Sequence, residues 1–225
     1  MKIDKNFKGL EYGKNSYYVF NGDLNSEESI EIDLSRELRV HGSITTGGKL
    51  TSRKAVLVDG SIITNDTIFV RVLLSAKDIR SYKDIYVDGS ICSIYSISAE
   101  GEVSAKHSIE ASRGSIKAGG SIKAGTGIFA KTLIIAENGC VESGAGITAG
   151  QTIRAKSFIS AKGRIFSNML PLGFEETFCP TIVCDYLKDG IVAYGKLRTN
   201  EPEVVMTLDE VREKLGIKNL KVKNY

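Results

Sequence analysis

The sequence predicts an all-β protein, a triangular parallel β-helix built from stacked coils, and three observations predict it. An aliphatic residue recurs every six positions over most of residues 30–167. A second small or apolar residue, most often alanine, stands two positions after many of these. Glycine or serine usually fills the gap before the next aliphatic. Residues i and i+2 of a strand point to the same side, so Ile-x-Ala sends two apolar groups inward and one residue outward. Glycine tolerates the corner that must follow so short a strand. A six-residue unit cannot bury its own apolar side; stacking further units beneath it makes a continuous core.

The run opens with Ile32, Leu38, Ile44, Leu50, Val56, Ile62, Ile68 and Leu74. After a one-residue slip come Ile79, Ile85, Ile91, Ile97, Val103 and Ile109. One insertion leads to Ile116, Ile122, Ile128 and Ile134, and another to Ile135, Val141, Ile147, Ile153, Ile159 and Ile165. Three units make a coil of about 18 residues, so residues 30–167 hold roughly seven to eight coils. At about 4.8 Å between stacked strands, the body is a rod of roughly 35 Å. A 3.6-residue helical period does not fit, nor does the looser strand spacing of a sandwich. Coils of this length occur in either hand; the right-handed form is the working expectation.

Residues 1–29 break the repeat and concentrate Tyr12, Tyr17, Tyr18 and Phe20. Asn21-Gly22 signals a turn, so a short strand or hairpin is expected in an aromatic cap over the first coil. Tyr17, Tyr18 and Phe20 offer the alternative of a contact surface for a partner. At the other end, Pro171 and Gly173 mark a boundary, and residues 168–225 form a third segment. Within it, Thr181–Leu187 and Ile191–Leu197 flank Lys188-Asp189-Gly190 and read as a β-hairpin. Thr207-Leu208-Asp209-Glu210 is a capping box that opens a short helix ended by Gly216.

The stretches Leu38-Arg39-Val40-His41-Gly42-Ser43-Ile44, Val58-Asp59-Gly60-Ser61-Ile62 and Val87-Asp88-Gly89-Ser90-Ile91 resemble bactofilins. That resemblance implies a polymer-forming scaffold assembled end to end, although bactofilin flanks are short and these carry strand and helix signals. The block Ser115-Ile116-Lys117-Ala118-Gly119-Gly120-Ser121-Ile122-Lys123-Ala124-Gly125 is similar to Gly-x-Ile-x-Ala-Gly repeat proteins of phages and prophages. This second resemblance implies a protein of a mobile element. Such motifs specify a fold well and a function poorly.

Composition narrows the chemistry. The formal net charge is +3, yet segment 101–167 alone carries nine Lys/Arg against four Asp/Glu. Lys106, Arg113, Lys117, Lys123, Lys131, Arg154, Lys156, Lys162 and Arg164 all project outward under the repeat scheme. Lys117, Ile135 and Arg154 should share one column, and Phe129, Thr148 and Phe166 another. A basic surface beside aromatics suits a nucleic-acid backbone; a solvated face that keeps the rod soluble is the plain alternative. The only two histidines, His41 and His107, read as surface or corner residues. Cys179 and Cys184 bring no second ligand pair for zinc, so no metal, cofactor or catalytic centre is expected. The charged start without an apolar stretch behind it, four scattered cysteines and no membrane-length apolar run predict a cytoplasmic chain.

These readings combine into an expected function. The expectation is a non-enzymatic binder of a mobile element that attaches to and inhibits a host protein or ribonucleoprotein complex, such as a CRISPR defence complex. A bactofilin-like polymer is the alternative, and homo-oligomers are admitted by both.

Overall fold

A computed structural model describes residues 1–13, 16–167 and 182–200. Strands of mostly three or four residues succeed one another with corners of mostly two to five residues between them. They stack as about nine coils of about 18 residues, each coil laying one strand on each of three faces. Every inter-coil pairing is parallel. Face 1 is a ten-stranded sheet running from Leu24–Ser26 to Leu197–Thr199. Face 2 starts at Lys2–Ile3 and Ile30–Ile32, and face 3 at Tyr18–Asn21 and Leu38–His41. The long strands Phe158–Phe166 and Tyr186–Tyr194 bend around the corner between faces 2 and 3 and join those faces into one sheet. Ten rungs at about 4.8 Å make the rod roughly 45 Å long.

Alternation sets this geometry. In most three-residue strands the first and third residues are buried and the middle one faces out, and in the four-residue strands such as Leu73–Ala76 the second and fourth are buried. Ile62, Ile97, Ile116, Ile134 and Ile153 form a fully buried ladder behind face 1. The inward residue two positions on is alanine in the later coils, Ala99, Ala118, Ala136 and Ala155. Earlier coils place Thr46, Thr64 and Ser81 there instead. Each hydroxyl donates to a nearby carbonyl: Thr46 to Glu28, Thr64 to Asp66 (2.6 Å) and Ser81 to Asp66 (2.6 Å). Buried polar groups cost little when so satisfied.

The slips in the repeat are absorbed at corners. Ile68 pairs with Ile85 but Ile30 with Leu50, so a coil contracts or expands without disturbing the ladders. Ile134 points inward and Ile135 outward, and the inward phase resumes at Val141.

Both flanks contribute rungs to the stack. Tyr18–Asn21 and Leu24–Ser26 pair with the strands one coil on, so the expected cap contains part of the first coil. A hairpin does lie here, Leu10–Tyr12 antiparallel to Tyr18–Asn21, while Gly22 (φ 120°) makes the corner that follows. The expected hairpin of residues 181–197 is not formed. Ile182–Cys184 runs parallel to Thr152–Ala155, Tyr186–Tyr194 parallel to Phe158–Phe166, and Leu197–Thr199 parallel to Ile182–Cys184. Lys188-Asp189-Gly190 produces a register shift at a corner, with Gly190 at φ 118°, rather than a reversal. Ile182, Leu187 and Val192 then carry the core one coil further. The expected helix at 207–216 and Cys179 lie outside the described residues. No helix among the described residues is long and apolar enough to cross a membrane.

Candidate functional site

Stacking converts sequence positions about one coil apart into neighbours, so each face carries a single column of outward side chains. On face 1 the column reads Asn25, Thr45, Ile63, Arg80, Ser98, Lys117, Ile135, Arg154, Val183, Arg198. It holds four cations and no carboxylate. The cations recur at every second rung, about 10 Å apart. All four are exposed. The expected columns Lys117–Ile135–Arg154 and Phe129–Thr148–Phe166 are both present, the second on face 3.

The corner leading into face 1 is mixed over the first coils, where it carries Asp23, Asp59 and Asp78, and extends the positive surface further along the rod. Lys77, Arg113 and Lys131 lie on it, and the backbone N–H of Arg113 donates to Ile94 O (2.8 Å) within the stacked corners. Asp78 on the same corner has its Oδ1 occupied by the Ser96 N–H (3.1 Å). Arg80, Arg113, Lys117, Lys131, Arg154 and Arg198 make no ion pair with any described residue.

The corner leaving face 1 has the opposite sign. It carries Asp66, Asp84, Glu100, Glu102 and Glu137. The Thr67 N–H and then the Lys83 ammonium hold the Asp66 carboxyl below the usual carboxylate range. Face 1 is thus a positive strip with a negative ridge along one edge.

The nine basic residues singled out from the sequence are therefore not one cluster. Arg113, Lys117, Lys131 and Arg154 share face 1 and its leading corner. Lys156 sits on the acidic trailing corner, and Lys106, Lys162 and Arg164 lie around the corner between faces 2 and 3. Lys123 is on face 2, ion-paired with Glu102 (3.3 Å). Partial burial pulls its pKa down, but Glu102, with Cys140 and Glu142 beyond, holds it above the ordinary lysine value. A depression of about 440 Å³ nearby is lined by Lys123, Glu142, Lys162 and Lys188, and Lys188 pairs with Glu142 (3.9 Å). Its three lysines share the depression with two carboxylates, Glu142 and Asp189, which sets it apart from the acid-free column of face 1.

The N-terminal aromatics are occupied locally. Phe20 packs on Phe7 (5.8 Å between ring centres) and Tyr18 on Tyr12 (5.1 Å), both against the core, and the Arg39 guanidinium covers Tyr17 at 4.1 Å. His41 Nδ1 and Asp59 Oδ2 lie 2.6 Å apart on exposed side chains, while His107 is on a different corner. Among the described residues no three of His, Cys, Asp or Glu converge to hold a metal ion.

Sequence reasoning missed Lys77, Arg80 and Arg198 because charge was summed over segment 101–167. Stepping back two coils from Lys117, through Ser98, reaches Arg80; the column count was the signal that finds it.

The class that this fold defines is the triangular parallel β-solenoid, here with one face lined by cations. Compared with family models, with curated proteins and with solved structures, the chain matches none.

Proposed function

We propose that the protein is a non-enzymatic binding protein, a rod that presents face 1 to a polyanionic partner: a nucleic acid, or a nucleoprotein complex that exposes one. The observation that carries this reading is the acid-free column with Arg80, Lys117, Arg154 and Arg198, none of them ion-paired within the described chain. Unpaired cations in one line raise the local potential and draw in a polyanion, with affinity that falls as salt rises. The phage-type likeness of the repeat supports a host defence complex as that partner, inhibited by attachment.

The test is elution from immobilised heparin along a salt gradient. The wild-type chain is expected to be retained, and the R80E/K117E/R154E variant to elute at clearly lower salt. A K106E/K162E/R164E variant, with the same change in net charge on another corner, should shift less. Equal shifts for the two variants would reduce the effect to net charge and remove face 1 from the reading.

A second reading, an end-to-end assembling scaffold, is favoured by one observation. The last described coil leaves Ile191, Tyr194 and Leu197 well exposed.

A further inference from the structure

We propose that the polyanion face 1 takes is a single-stranded nucleic acid, with its backbone along the cation column and bases stacked on Tyr82 and Tyr95. The inference rests on the reading of face 1 as a polyanion surface and narrows it to one class of ligand.

Width is the first argument. Each strand of face 1 is about three residues long, so the face is only about 10 Å across. It offers one column of cations, bordered on its trailing side by Asp84, Glu100, Glu102 and Glu137. A duplex presents two backbones separated by a groove of about 6 to 12 Å. With one backbone on the column, the second would lie over that carboxylate ridge. A single strand needs one column and follows it along the rod. On the leading corner, Arg113 and Lys131 widen the track beyond the coils that carry Asp59 and Asp78.

The second argument is a set of exposed apolar side chains at one end of the track, with Tyr82 on its trailing edge, Ile94 and Tyr95 on its leading edge and Ile63 in the column between them. Ile63, Tyr82, Ile94 and Tyr95 are all more than a third exposed. Ile63 pairs directly with Arg80 across one rung. The Arg80 guanidinium lies 4.7 Å from the centre of the Tyr82 ring, and the Lys77 ammonium 5.6 Å from that of Tyr95. Each tyrosine thus joins a cation to an exposed ring, which pairs phosphate attraction with a stacking surface. Base–aromatic stacking tolerates any sequence, because every base has a π-face. The expected binding is therefore sequence-independent and salt-sensitive.

The experiment is fluorescence anisotropy with the full chain and a labelled 20-nucleotide single strand. The matching duplex and heparin, a polyanion without bases, serve as competitors. The wild type should prefer single strand over duplex. Y82A/Y95A should weaken single-strand binding by about tenfold or more, since stacking on an aromatic is lost for each base. Heparin competition by that variant should stay unchanged, and its thermal midpoint should match the wild type because both rings are exposed. Equal affinity of the tyrosine variant for the single strand, or preference for the duplex, would overturn the inference. Face 1 would still stand as a polyanion surface if R80E/K117E/R154E lost heparin binding. If the wild type bound neither oligonucleotide nor heparin, both readings would fall together.

Discussion

At Gly89 an added methyl group would overlap the Val72 carbonyl oxygen of the coil before it, whereas at Gly127 the nearest atom would be Gly146 O at 3.7 Å. Two glycines with the same corner role in the repeat thus differ in what they tolerate. Gly89→Ala is expected to cost roughly 3 kcal/mol or more, because the corner must shift away from the stacked coil. Gly127→Ala should stay within about 1 kcal/mol of the wild type, since reduced freedom in the unfolded chain offsets any crowding. Thermal unfolding of the two variants separates these outcomes, and equal midpoints would show that the corner relaxes freely. The identity of inward residues was legible in the sequence, because alternation alone assigns them. Which glycine is sterically required was not, since that depends on how closely the adjacent coil approaches.

Strands in this fold reach stability through neighbours above and below, so the element that has only one neighbour is the weakest. Leu197–Thr199 pairs with Ile182–Cys184 and with no other described strand. Its Leu197 is 40% exposed, while Ile116 in the middle of the stack is fully buried. Amide hydrogen exchange should therefore be fastest in Leu197–Thr199, slower in Ile182–Cys184 and slowest in strands such as Ile116–Ala118. Uniform protection along face 1 would mean that the coils open only as one unit. This terminal coil is also where the sequence misled. Lys188-Asp189-Gly190 between two alternating runs has the chemistry of a hairpin turn, and alternation is the same in parallel and antiparallel strands. The stack offers the later strand a parallel edge already in place, and pairing on that edge also extends the core with Leu187 and Val192.

For the molecule as a whole, the two readings of its function make opposite demands on its ends. A discrete binder keeps a constant mass near 24.4 kDa, or a fixed small multiple of it, across a concentration series. An end-to-end scaffold gains mass steadily with concentration, through the exposed Ile191, Tyr194 and Leu197. Light scattering after size-exclusion chromatography is expected to show the constant mass, because the antiparallel strand Leu10–Tyr12 interrupts parallel stacking at the opposite end. A rising mass would make the scaffold the better reading. The positive strip was only half legible before the coils were stacked. Lys117 and Arg154 stood out within a basic segment, but Arg80 and Arg198 lie outside it and join the strip only through the count of residues per coil.

That count makes the chain behave like a screw thread. Removing or adding a whole turn shortens or lengthens the rod and leaves every later side chain on its own face. Removing six residues keeps the inward phase, so the core still closes, yet it turns everything downstream by one face. Arg154 and Arg198 would then leave the line of Arg80 and Lys117 although no charge had been lost. Genetic change by six-residue units can therefore rewrite what such a rod displays while preserving how it folds, and only the gain or loss of whole coils keeps both.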